Sequence, residues 1–148
     1  MALPLALIAL VVIGAAVAGA FSLAHLEQRV GRNVMYAVQA SSAAEAGAVA
    51  ALAGWDGLSL GALSPGAAAV LPSGSLPGPS AWAATVTRLN GELFLVRVEG
   101  SRLDAQGGLL ARRVVSVVVR AAEGAPPGWP PVAPLAHRAW DRSVSSPP

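Results

Sequence analysis

Residues 1–24, MALPLALIALVVIGAAVAGAFSLA, contain no charged residue and a single hydroxyl, Ser22. As a helix rising 1.5 Å per residue this stretch reaches about 35 Å, enough to cross a hydrocarbon layer of about 30 Å. Pro4 fits such a helix at its first turn, where a missing N–H breaks no bond. Gly14 and Gly19 each weaken a helix interior by about 1 kcal/mol relative to Ala. They suit close packing through small residues or, on a sharper reading, a segment that unwinds when it leaves lipid.

Past Ala24 the character changes without a helix breaker. Leu26, Val30, Val34, Ala37, Val38, Ser41, Ala44, Ala48 and Leu52 recur at three-to-four spacing among polar residues, the pattern of an amphipathic helix. The same helix is therefore expected to continue through residues 25–53, with Gly54 as a left-handed cap before Trp55-Asp56-Gly57. Residues 54–80, punctuated by Pro65, Pro72, Pro77 and Pro79, read as a loop. Trp82–Leu89 and Leu93–Glu99 flank Asn90-Gly91, a dipeptide suited to a type I′ hairpin turn. Leu109–Ala121 follows the Gly107-Gly108 turn as a third strand, placing Val115, Val117 and Val119 on one face. That face is the expected dock for the Leu26–Leu52 stripe, with Val30, Val34, Val38 and Leu52 as its expected packing residues. Residues 81–123 thus form a small antiparallel sheet of three or more strands, so the fold class is α+β. Residues 124–148 hold seven of the twelve prolines with Trp129 and Trp140, and read as an extended strap pinned by indoles. Trp82 is expected to anchor the core.

Composition narrows the chemistry. Of the 148 residues 54% are apolar and 12% charged, against roughly 25% charged in a typical soluble domain. That imbalance calls for lipid or other protein as a second solvent. All ten basic residues are arginine and the net charge is +2. Arg112-Arg113 is the one adjacent basic pair and lies in a strand, so no nucleic acid partner is predicted. Cysteine is absent, which excludes disulfides, thiolate metal sites and covalent haem attachment. His25 and His137 are far apart. The eight carboxylates show no acid–base or metal spacing. Glu99 and Asp104, placed around Gly100 in a loop, lack the ligand density of a calcium site. No cofactor, metal or catalytic residue is assigned, and the chain is not read as an enzyme. With one Tyr and two Phe, electron conduction is disfavoured as well. Ser73–Ser80 and Ser143–Ser146 could accept O-linked sugars.

An uncharged membrane-length helix that continues as an amphipathic one and leads into a hairpin-centred sheet resembles the type IV pilin superfamily. The nearest likeness is to its PilX-like group, through Glu27-Gln28-Arg29-Val30-Gly31-Arg32-Asn33, then Gln39-Ala40 and Ala43-Ala44-Glu45-Ala46-Gly47. The opening Met1-Ala2-Leu3-Pro4-Leu5-Ala6-Leu7 is similar to the mature start of such proteins. The likeness covers about the first 53 residues, and the sheet region shares only general architecture.

The resemblance implies a pilin-like fold and a prepilin whose basic leader is cut at the inner membrane, with Met1 then methylated. It implies a homo-oligomeric helical filament outside the cell, assembled with other pilin-like subunits and inner-membrane machinery. Most pilins carry glutamate at the fifth mature position; Leu5 stands here, which removes that charge from assembly. Leu3, Leu5, Leu7, Ile8, Val11, Val12, Gly14, Val17, Gly19 and Phe21 are the expected filament-core residues. By position alone, Glu27, Arg29 and Arg32 at the exit of the apolar segment mark either the lipid headgroup boundary or candidates for pairing between subunits, with His25 interfacial beside them.

Independently of any family, residues 1–24 are satisfied by lipid, and once extracted they need an equally apolar surround. Identical helices supply one. Burying a Leu-sized side chain is worth about 1.5–3 kcal/mol, the small residues permit close helix contacts, and a non-closing contact makes a fibre. Two other expectations compete. One is a pseudopilin of a secretion system, distinguished by a short fibre and often a calcium site. The other is a secreted β-domain with residues 1–20 as a signal peptide, against which stands the missing basic flank and the stripe that continues past the cut.

Overall fold

The computed structural model describes residues 2–122, 131–135 and 140–143, with side chains described over 7–122 and 131–135. The uncharged stretch and the amphipathic stretch form one unbroken helix, α1 (Ala2–Ala53, 52 residues). Its first turn holds Pro4 without interruption, and neither Gly14 nor Gly19 breaks it. The chain divides into two compact units, Met1–Met35 and Tyr36–Pro148, and α1 contributes to both.

In the second unit α1 ends at Ala53, but Gly54 is not left-handed. The chain leaves the helix through a turn in which the Leu58 N–H donates to the Gly54 carbonyl and the Leu60 N–H to the Trp55 carbonyl. The positive φ expected at Gly54 falls instead on Ser59, at 52°, just before a short 3-10 turn over Leu60–Ala62.

Seven antiparallel strands follow: β1 (Ala68–Val70), β2 (Gly74–Leu76), β3 (Ser80–Arg88), β4 (Leu93–Leu103), β5 (Leu109–Ala121), β6 (Val132–Pro134) and β7 (Trp140–Ser143). The sheet is a β3-β4-β5 meander with two short strands along each outer edge: β1 and β2 pair with different halves of β3, and β6 and β7 with different parts of β5. Part of the expected 54–80 loop is therefore sheet edge, and each short strand caps a row of otherwise unpaired backbone groups. In the tail, 132–134 and 140–143 are strands on β5; Trp129 lies outside the described residues, as does the side chain of Trp140.

The β3–β4 connection is wider than the expected type I′ turn. Asn90 and Gly91 both lack the positive φ that turn requires. Instead the Asn90 side-chain oxygen accepts from the N–H groups of Glu92 (2.9 Å) and Leu93 (2.8 Å), an Asx arrangement that satisfies the loop without left-handed residues. Between β4 and β5 the reversal does use a left-handed glycine, Gly107, at φ 85°.

Alternation along the meander separates two faces. Phe94, Val96 and Val98 from β4 and Val115, Val117 and Val119 from β5 are buried together with Ala44, Ala48 and Ala51 of α1, and Leu52 packs partly buried against them. Of the expected stripe, Ala44 and Ala48 are buried and Leu52 partly so, but its three valines are not, which corrects the expectation for Val30, Val34 and Val38. Val30, Val34 and Val38 are 62%, 57% and 60% exposed, whereas Ala40, Ala43, Ala44, Ala48 and Ala51 are at most 2% exposed.

The physical reason is the distance of approach. Gly100 lies inside β4, not in a loop, and a Cβ there would overlap the Ala40 carbonyl oxygen and the Ala44 backbone nitrogen. Backbones this close leave room on the helix only for Ala and Gly. Trp82 fills the adjoining space between two further glycines: a Cβ on Gly47 would come within 2.7 Å of its ring, and one on Gly74 within 2.5 Å. The indole thus takes the volume that larger helix side chains would have occupied.

Candidate functional site

In the first unit the apolar segment is a surface. Leu7, Ile8, Leu10, Val11, Val12, Ile13, Val17, Phe21, Leu23 and Leu26 are all exposed, Leu10 at 71%. From Leu7 onward the helix is long and apolar enough to cross a membrane, with none of its most apolar window buried within the chain. Contiguous apolar surface on this scale marks contact with lipid or protein. Of the expected filament-core residues, Leu7, Ile8, Val11, Val12, Val17 and Phe21 line this surface, and Gly14 and Gly19 face open space. Met1 and the side chains of Leu3 and Leu5 lie outside the described set. Ser22, the one hydroxyl, is satisfied within the helix by donating to the Ala18 carbonyl at 3.0 Å, so it presents no unmet polar group to an apolar surround.

Directly after this surface come the first charges, His25, Glu27, Arg29 and Arg32, all exposed. None of them makes an ion pair among the described residues.

In the second unit the two carboxylates weighed as calcium ligands are tied to structure. Glu99 is bound by Arg112 across the β4–β5 ladder, and Asp104 accepts from the N–H groups of Gln106 (2.9 Å) and Gly108 (2.6 Å) to hold its own turn. The two carboxylates are thus committed separately. No cluster of three metal-ligating side chains occurs among the described residues.

Arg88 was not singled out by sequence, yet it closes the end of the sheet. Its guanidinium donates to the carbonyls of Gly61 (3.2 Å), Leu63 (2.5 Å), Asn90 (2.9 Å) and Gly91 (2.6 Å). It also lies 5.3 Å from the centre of the Phe94 ring, which Trp55 meets edge-on at 5.0 Å. An open hollow of about 460 Å³ borders these residues. Its arginine directs four hydrogen bonds at backbone carbonyls, so it acts as a clamp joining the 60–63 turn to the β3–β4 loop. Arg88→Ala should therefore lower stability by about 2–3 kcal/mol, the worth of one or two hydrogen bonds to a charged group, because three of its four bonds are exposed. Arg88→Lys should recover only part, because an ammonium cannot span four carbonyls as the planar fork does. Urea midpoints of the three proteins check the order.

A second hollow of about 280 Å³ lies between Gln39 and Ser42 of α1 and the 76–80 segment. Gln39 Oε1 and Arg102 Nε are buried there without a hydrogen-bond partner among the described residues, and the Arg102 guanidinium stands 5.9 Å from the centre of the Tyr36 ring.

Ala44 and Ala48 belong to the stripe legible in sequence, whereas Ala40, Ala43, Ala51, Gly47, Gly74 and Gly100 do not stand out as packing residues, because small side chains suit exposed positions equally well. A glycine within a strand pattern is nonetheless a sign of close backbone approach, and Gly100 could have been found that way. Compared with models of protein families, with curated proteins and with solved structures, the chain matches none of them.

Proposed function

We propose that this chain is a structural subunit of a type IV pilus-like helical filament, held in a membrane by its apolar helix before assembly and packed through that helix afterwards. The observation that carries the proposal is the unbroken helix whose large apolar side chains from Leu7 to Leu26 are exposed among the described residues. Lipid covers such a surface in one state, and copies of the same helix cover it in the other. The α+β unit, in which the helix continues onto an antiparallel sheet, is compatible with a pilin-like fold. The sequence likeness of residues 27–33 and 39–47 supports the same assignment. The partners are further copies of this chain and the membrane machinery that extracts them, and the destination is the cell surface.

Fractionation of the native source tests this directly. The chain is expected in alkali-resistant membranes and, in shearable surface material, as fibres seen by electron microscopy. Recovery solely as a soluble monomer contradicts it.

A further inference from the structure

The four titratable residues at the exit of the apolar surface, His25, Glu27, Arg29 and Arg32, are sorted around the helix. At about 100° per residue, Arg29 stands about 160° from Glu27 and Arg32 about 140° from it. His25, Arg29 and Arg32 follow one another at i, i+4 and i+7, so they line one side. Glu27 faces the other side, next to Gly31, where nothing lies within 4 Å of the position a Cβ would take. Arg29 and Arg32 repel each other at i, i+3 and have no acid on their own face, and Glu27 has no base on its own. All are exposed.

A membrane surface explains half of this arrangement, since anionic headgroups would take the arginines but repel the glutamate. A second copy of the helix explains both halves. We infer that Glu27 of one copy pairs with Arg29 and Arg32 of the next, so that each helix offers an acidic side to one neighbour and a basic side to another.

Such a contact joins two different faces, and so it is heterologous. A heterologous contact propagates, closing into a ring or running on as an open fibre according to its rotation. It therefore gives the apolar bundle a direction: apolar packing alone is indifferent to which sides meet, whereas like-charge juxtaposition penalises wrong pairings. Gly31 leaves room beside Glu27 for a long arginine side chain to arrive. The inference rests on the filament proposal and specifies its partner surface.

The test uses the full chain, wild type or substituted, expressed in the native source in place of its own copy. Glu27→Arg makes both sides basic, and the double substitution Arg29→Glu, Arg32→Glu makes both sides acidic. Each alone is expected to lower fibre yield by about tenfold or more, because like charges now meet at every contact. Co-expression of the two is expected to restore fibres containing both chains, since each basic side then finds an acidic one. All substituted side chains are exposed, and unchanged thermal unfolding of the sheet confirms that the fold is intact. Fibre yields equal to wild type from both variants overturn the pairing and leave the filament proposal standing. Single defects without rescue, accompanied by loss of binding to phosphatidylglycerol vesicles in the doubly acidic variant, assign the arginines to headgroups and also overturn it. Absence of wild-type fibres removes the filament proposal itself, and the pairing with it.

Discussion

Gly100→Val is expected to destabilise the second unit by about 3 kcal/mol or more, at or above the upper end of overpacking penalties. The added carbons meet the Ala40 carbonyl oxygen and the Ala44 nitrogen, which are backbone atoms of α1 and cannot turn aside as a side chain can. The helix must lift off the sheet. Lifting it uncovers Val98 and Val115, each 1% exposed or less, and loosens the glycine slots around Trp82. For a unit of roughly 100 residues, each kcal/mol moves Tm by about 4–8 °C, so a fall of about 12–24 °C is expected in near-ultraviolet circular dichroism of the detergent-solubilised chain. Gly91→Ala is the control. A Cβ at Gly91 meets nothing within 4 Å, and its effect should stay within about 0.5 kcal/mol. Equal effects at the two glycines would contradict the close-approach account of the helix–sheet seam.

Ile13→Asp carries the second large effect, this time on assembly. Ile13 is 64% exposed on the apolar helix, and in lipid or in a helix bundle its surround is apolar. At the centre of a membrane helix the exchange of isoleucine for aspartate costs about 3–4 kcal/mol on the insertion scale, a factor of about 100 to 1,000 in an equilibrium. The penalty recurs in every subunit of a bundle, where each carboxylate is buried beside others of like charge. Fibres should disappear from the sheared fraction, while the Trp-dependent unfolding signal of the sheet is unaffected. Fibres formed in wild-type amounts would mean that residues near Ile13 are not buried in the assembly.

The helix, the meander and the inner face of β5 could be read from sequence because each rests on a long, redundant pattern. No single residue decides whether 1–53 is helical, and the valines from Val114 to Val119 read as strand in any context. What could not be read depends on partners distant in sequence. Val30, Val34 and Val38 have the spacing of a buried stripe, but the approach permitted by Gly100 selects the alanine face from Ala40 to Ala51 for the sheet. The type I′ hairpin was drawn from Asn90-Gly91, yet the Asn90 side chain satisfies two amides itself and the turn relaxes. β1 and β2 have three residues each, too few to carry a period, and exist because β3 presents an edge.

For the candidate site the division is similar. The exposed apolar surface follows from composition alone, since no nearby residue needs to be known. Arg88 did not stand out, because its four carbonyl partners come from two loops whose meeting is a product of the fold. The opposed placement of Glu27 against Arg29 and Arg32 was available from spacing, but it acquires meaning only once the helix is continuous and these side chains are exposed.

The measurement that bears most directly on the central claim is intact mass spectrometry of this chain in sheared surface material, combined with electron microscopy of the same fraction. Long fibres whose subunits retain the apolar residues 7–24 are the expected result, because those residues form the contact that builds the fibre. A soluble chain beginning near Phe21, with no fibres, would contradict the account and make the apolar segment a discarded signal.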